Sequence, residues 1–261
     1  MLRLHLVAPH LAAPSEAKVS LVTVCSWCEQ EGERTVLGGD GSASPGGESH
    51  GICPRHLGLE MAKLVGDLDA PTPVESRGGL LFKRDDLFTL GGATGGKLRA
   101  CLSLVSSCPR VRGMVSAGSR QGTTGCVVAA TARALGLRSE FHTAAGAATP
   151  ETDWIRAAGT TVVEHRPGYA SVVRVRATAA ASERGFLYIP WGLECSAMVR
   201  GTAEQVKNLP WSSIRRIVVS VGGGMTLAGI LTGMERLTRD ARCPVLGVQV
   251  GPASSALLCD E

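Results

Sequence analysis

The run Ile217-Val218-Val219-Ser220-Val221-Gly222-Gly223-Gly224-Met225-Thr226-Leu227-Ala228-Gly229 constrains the fold of this chain more than any other stretch. Its first part is apolar and rich in β-branched residues, the pattern of a buried parallel strand. Three glycines stop it, and a helical pattern follows through Leu231, Met234 and Leu237. A strand, a bare turn and a helix in that order make an anion site in α/β proteins. No side chain keeps a ligand from the turn, and the first N–H groups of the helix face it with the positive end of the dipole. The segment therefore asks for a phosphate at Gly222, Gly223, Gly224, Met225 and Thr226. It lacks the Gly-Lys-Ser/Thr of a P-loop and the Gly-x-Gly-x-x-Gly spacing of a dinucleotide site. A purely structural tight turn is the alternative reading.

A second glycine-rich loop lies more than a hundred residues upstream. Leu80-Leu81-Phe82-Lys83 reads as a strand, Asp85-Asp86-Leu87-Phe88 follows, and Gly91-Gly92-Ala93-Thr94-Gly95-Gly96 leads to Lys97 at the start of a helix. Most lysines are merely solvated. Four glycines in six residues before this one are costly in chain entropy unless something must approach closely.

From here strands and helices alternate. Strands are expected at 112–115, 139–143, 160–164, 186–189, 217–221 and 245–250, with helices to Leu135 and at 150–158, 170–182 and 195–208. The alternation predicts an α/β fold, a parallel sheet with helices on both faces, with ligands at the carboxyl ends of the strands. The loop Ser116-Ala117-Gly118-Ser119-Arg120-Gln121-Gly122-Thr123-Thr124-Gly125 follows one of those strands and can converge with both glycine loops on that edge.

Residues 1–68 differ from the remainder. Cys25-Ser26-Trp27-Cys28 and Cys53-Pro54-Arg55-His56 are two close pairs joined by a loop rich in Gly and Ser, the arithmetic of a tetrahedral zinc knuckle. The ligands would be Cys25, Cys28, Cys53 and His56, with His50 as a replacement for His56. The linker cannot build a core, so a metal would order the segment, and four protein ligands would make the site structural. Unmetallated thiols in an extension are the alternative. Helix is expected over 57–67, and Pro71 and Pro73 then mark a boundary.

With 261 residues, the chain can bury a sizeable core, and 44% hydrophobic against 19% charged residues is ordinary for a soluble protein. A net charge of +4 is too small and dispersed to argue for nucleic acid or a membrane surface. No run approaches the ~20 apolar residues of a membrane span. His5, Pro9 and His10 interrupt the faintly signal-like start, so no signal peptide is read. Nine cysteines, most of them single, suit a reducing cytoplasm.

Taken in order, Phe82-Lys83-Arg84-Asp85-Asp86-Leu87, Gly95-Gly96-Lys97-Leu98-Arg99, Ser116-Ala117-Gly118 and Val221-Gly222-Gly223-Gly224-Met225-Thr226-Leu227-Ala228-Gly229 resemble the signatures of one superfamily. It is the fold type II pyridoxal-phosphate enzymes, the tryptophan synthase β-like group. The Lys-Arg-Asp-Asp-Leu start looks most like the branch of aminocyclopropane-carboxylate deaminase and D-cysteine desulfhydrase. The resemblance covers about 71–250 and implies 69–261 as the enzyme-like region, with 108–200 as its smaller substrate-side subdomain.

It also implies roles. Lys97 would form the Schiff base with pyridoxal phosphate and shuttle protons. Gly222 to Thr226 would hold the phosphate, and Thr123 would touch the cofactor. Ser116, Gly118, Ser119, Thr123 and Thr124 would receive a small amino-acid substrate, with Ser119 as a catalytic group. Relatives carry an asparagine in this loop; here either Ser119 or Thr123 takes its place. Gly96 stands where an asparagine often precedes the lysine, and relatives usually continue beyond the position of Glu261. The implied activity is Cα or Cβ deprotonation leading to elimination, deamination, replacement or racemisation, in a homodimer or with a completing subunit. The competing expectations are a degenerate scaffold serving as a binding or regulatory partner and, last, a nucleotide-binding α/β protein.

Overall fold

The computed structural model describes residues 22–38, 47–53, 66–108, 111–237 and 243–250, with 56–57, 60 and 63. Two compact units emerge, Met1–Cys53 and Pro54–Glu261. The helix expected over 57–67 and the linker 39–46 fall largely outside the described residues.

In the first unit, β1 (Val22–Cys25) runs into the short helix α1 (Ser26–Gln30). β2 (Val36–Gly38) pairs antiparallel to one side of β1, and β3 (Glu48–Gly51) pairs parallel to the other. This three-stranded sheet was not legible in the sequence, because its strands are only three or four residues long and β3 carries no apolar side chain. Its buried cluster is Cys25, Cys28, Leu37 and Cys53, with Trp27 packed against it.

The second unit opens with an antiparallel hairpin, β4 (Val74–Arg77) and β5 (Leu80–Lys83), turned by Gly78 and Gly79 at positive φ. A two-residue hairpin turn needs that conformation, which glycine supplies without steric cost. Small strands β6 (Thr89–Leu90) and β7 (Ala93–Thr94) lead to helix α2 (Gly96–Ser106). Next come β8 (Gly113–Ala117), α3 (Thr123–Ala134), β9 (Arg138–Ala144), α4 (Pro150–Ala157), β10 (Thr161–His165), α5 (Ala170–Arg184) and β11 (Leu187–Ile189). The four strands form one parallel sheet in the order β10-β9-β8-β11.

Period-two alternation sorts the faces of this sheet. Val115 and Ala117 pack against Val173, Ala177 and Ala181 of α5. Phe141, aligned with Ser116 and so on the opposite face, packs against Ala129 of α3 and Ile155 of α4. Helices therefore cover both sides, as the alternating pattern predicts. Helix α6 (Ser196–Val206), β12 (Ile217–Val221), α7 (Met225–Glu235) and β13 (Val245–Gln249) complete the unit, β12 and β13 forming a separate two-stranded parallel sheet. No described helix is long and apolar enough to cross a membrane.

Candidate active site

Lys97 is delivered by its local backbone. Gly95 caps α2 at φ 87°, a conformation that glycine adopts freely. A Cβ on Gly96 would lie 3.2 Å from Met198 Cε, so the residue before the lysine is small because α6 presses on it. Buried Leu98, Arg99, Ala100, Cys101 and Leu102 then lock the helix. The Lys97 side chain is half-buried, and its Nζ lies 3.4 Å from the Thr123 hydroxyl oxygen, to which it donates. Burial pushes its pKa below the ordinary lysine value, since desolvation disfavours the ammonium.

The loop after β8 lies at the carboxyl edge of the sheet. Ser116, expected in that loop, is instead the penultimate residue of the strand; it is fully buried and its hydroxyl donates to the Ile189 carbonyl at 2.8 Å. Gly118 is buried under Phe141, whose ring atom would lie 2.9 Å from an added Cβ. Ser119 is exposed on the loop and Thr123 is exposed at the start of α3, whereas Thr124 is buried and accepts a hydrogen bond from the Gly192 N–H at 3.3 Å. That bond joins the loop to the 3-10 turn Trp191–Leu193 after β11, where Gly192 and Leu193 both have positive φ. Leu193 is the one non-glycine among the described residues with positive φ, a conformation that costs on the order of 1 kcal/mol or more and clusters at functional sites.

The glycine turn closes the arc. Gly222 and Gly223 are exposed, and Gly224 adopts the left-handed conformation at φ 80° as the N-cap of α7. No side chain caps this helix, which leaves its first N–H groups for a ligand. A Cβ on Gly223 would lie 3.4 Å from Glu194 Oε1, and one on Gly222 would meet only the Val250 carbonyl at 3.9 Å. Lys97, Thr123 with Thr124, Gly192 with Glu194, and Gly223 thus form a continuous series of neighbours. Bare backbone at a helix N-terminus and a partly desolvated amine fit a phosphate-bearing aldehyde. A cavity of about 370 Å³ lined by Arg138, Glu140, Thr161 and Phe186 sits at the opposite, amino edge of the sheet and contains none of these residues.

Two contributors were not foreseen. Arg120, the cation of the loop, is buried: its Nε donates to Ala147 O at 2.8 Å and Nη1 to Ala144 O and Glu164 Oε1 at 3.2 and 2.9 Å. The Thr149 hydroxyl donates to the Arg120 carbonyl at 2.9 Å. Glu194 entered through the pairing of β11 beside β8, which no local pattern announces.

In the cysteine segment, β1 delivers Cys25, α1 delivers Cys28, and the parallel pairing of β3, which aligns Gly51 with Cys25, brings in Cys53. Ligand atoms of Cys25, Cys28, Cys53 and His56, all buried, lie within 4.8 Å of one another. His50 instead pairs with Glu29 at 3.1 Å. Cys28 and Cys53 sulfurs are 3.8 Å apart, and the Cys53 N–H donates to Cys25 Sγ at 3.2 Å. A tetrahedral zinc with Zn–S of about 2.3 Å holds its sulfurs about 3.8 Å apart. Burial pushes the Cys25 thiol up, but hydrogen bonds from Cys28 and Cys53 outweigh it and bring the group down to about 6.

The fold and the glycine turn place the chain in a known class. Residues 67–259 match the family described as "Pyridoxal-phosphate dependent enzyme", and the chain belongs to it. Among solved structures, an ACC deaminase homologue is similar with a TM-score of 0.63 and 21% identity, over 76% of this chain and 67% of that one. Threonine deaminase isoform 2 from Solanum lycopersicum gives 0.56 and 19%, over 75% and 56%. Maize serine racemase gives 0.56 and 19%, over 74% and 59%. The chain thus spans between about half and two-thirds of these proteins' length. No curated protein matches it in sequence.

Proposed function

We propose that this chain is a pyridoxal-phosphate-dependent enzyme that acts on a small amino acid by Cα or Cβ deprotonation, of the lyase, deaminase or β-replacement type. The observation that carries the reading is the half-buried Lys97 amine, with its lowered pKa and its Thr123 contact, on the arc that ends at the bare Gly222–Gly224 turn. The similar structures support it, a threonine deaminase and a serine racemase among them.

Bound pyridoxal phosphate would supply the electron sink that makes a Cα proton acidic. The chain's residues do the rest. Gly222, Gly223, Gly224 and Met225 would offer backbone N–H groups to the phosphate, and Thr226 would add a hydroxyl. Lys97 would contribute the amine that holds the aldehyde; desolvation keeps more of it neutral, and only a neutral amine is nucleophilic. With the cofactor and substrate bound, the same nitrogen would be the group that takes and returns the proton at Cα. Ser119 and Thr123 offer hydroxyls to the substrate carboxylate, while Thr124 and Ser116 hold the frame. The test is exchange of the α-proton of small amino acids into solvent deuterium by the cofactor-loaded chain. Exchange with at least one amino acid is expected; none with any would leave a scaffold that binds without catalysis.

We further propose that Cys25, Cys28, Cys53 and His56 hold a structural zinc, on the evidence of their spacing and burial. Metal analysis should find one zinc per chain, and Cys25→Ser should lower that content and expose the segment to protease. A purified chain without zinc ends this assignment. Assembly as a homodimer, or with a completing subunit, belongs to the same reading and is supported by the exposed apolar residues Val218, Leu246 and Val248 on β12 and β13. Sedimentation of a lone monomer alone would count against it.

A further inference from the structure

Glu194 stands at the glycine turn with the wrong sign for a phosphate site. Its Oε1 is 3.4 Å from where a Gly223 Cβ would sit, so the carboxylate borders the space that an anion on this turn would use. Burial does not force it there, since the side chain is 40% exposed and reachable by water. The backbone holds it in place nonetheless, through the consecutive positive φ values of Gly192 and Leu193 and the bond from Gly192 N–H to Thr124. Its other oxygen, Oε2, lies 3.4 Å from Arg174 Nη1. Arg174 is itself fixed over the Trp191 ring at 5.1 Å, and its Nε is buried without a hydrogen-bond partner among the described residues.

A dianionic phosphate entering the turn meets a carboxylate at close range, and like charges at such distances repel by an amount that water only partly screens. Arg174 neutralises part of that repulsion and has a donor to spare. We propose that the Glu194–Arg174 pair sets the affinity of the Gly222–Gly224 turn for phosphate. Glu194 acts as a resident counter-anion that an incoming phosphate must displace or tolerate, and Arg174 is the cation that compensates it. This rests on reading the turn as the phosphate site and adds a residue pair that weakens and tunes it. The pair acts on binding and positioning, not on the proton transfer.

The experiment measures equilibrium binding of pyridoxal phosphate to the full chain by absorbance, with inorganic phosphate as competitor, for the parent, Glu194→Gln and Arg174→Gln. Glu194→Gln should lower the Kd for pyridoxal phosphate on the order of tenfold and strengthen competition by inorganic phosphate in parallel. Arg174→Gln, which leaves the carboxylate uncompensated, should raise the Kd by a similar factor. Thermal melts confirm that each variant is folded, and the opposite signs of the two variants keep the test decisive if one is not. A Kd unchanged or raised in Glu194→Gln overturns the inference while leaving the phosphate site standing. If neither parent nor variant binds pyridoxal phosphate or inorganic phosphate, the phosphate-site reading and the inference fall together.

Discussion

Lys97→Ala is expected to erase the visible band near ~410–430 nm that the parent develops with pyridoxal phosphate, and to reduce amino-acid turnover at least ~10³-fold. The amine is the only part of the side chain that the aldehyde can use, and Thr123, at 3.4 Å, has no nitrogen to replace it. The structural cost of the substitution is small. Lys97 sits in the first turn of α2, where alanine is a good helix former, and removing a desolvated ammonium relieves a penalty. Stability should therefore stay within about 0.5 kcal/mol of the parent, which separates loss of chemistry from loss of fold. Lys83 is the control. Its amine is held by the Thr72 carbonyl and hydroxyl and by Gln205 Oε1, with Asp85 at 4.0 Å, so it is already committed. Lys83→Met should keep the band. A band that survives Lys97→Ala and disappears in Lys83→Met would move the site to the wrong side of the loop and end the assignment.

The second large effect is expected far from any reacting atom. Gly229→Val should lower the unfolding free energy by ~3 kcal/mol or more and weaken cofactor binding with it. Helices α6 and α7 pack closely enough that a Cβ on Gly229 would lie 2.4 Å from Thr202 Cβ and 2.9 Å from the Val199 carbonyl oxygen. One turn on, a Cβ on Gly233 would lie 2.7 Å from Val206 Cβ and 2.9 Å from Ala203 O. Rotamer changes cannot relieve a clash with a neighbouring helix backbone, so the helices must part. The gain in helix propensity on replacing glycine is at most about 1 kcal/mol and does not offset this. Because α7 is capped by Gly224 and carries Thr226 in its first turn, a shift of its axis moves the turn proposed to hold the phosphate. Urea unfolding of the variant measures the first effect and a pyridoxal phosphate titration the second; a midpoint equal to the parent's would show that the helices yield more readily than their contacts imply.

These cases show what the chain reveals before folding. The β-branched run to Val221 and the glycines after it announce strand and turn because both signals are local. Lys97 was legible for the same reason, since the glycines before it are adjacent in sequence. The approach of Cys25, Cys28 and Cys53 was legible by spacing, but that His56 joins them while His50 pairs with Glu29 was not. Ser116 was misplaced by a residue or two because small residues suit a strand end and a loop equally well. Arg120 and Glu194 were opaque. An arginine in a polar loop gives no sign of turning inward, and the position of Glu194 follows from the strand order β10-β9-β8-β11, a property of the whole sheet. Gly229 carries a meaning that only the facing helix supplies.

The burial of Arg120 determines how this site would greet a carboxylate. With its guanidinium spent on tying its own loop to the end of β9, to the loop after β9 and to Glu164 of β10, the loop that faces the ligand offers neutral dipoles, hydroxyls and amide hydrogens, in place of a full positive charge. Recognition built that way depends on direction more than on range. Brine would dull it little, whereas a displacement of the loop by a fraction of a bond length would be felt at once.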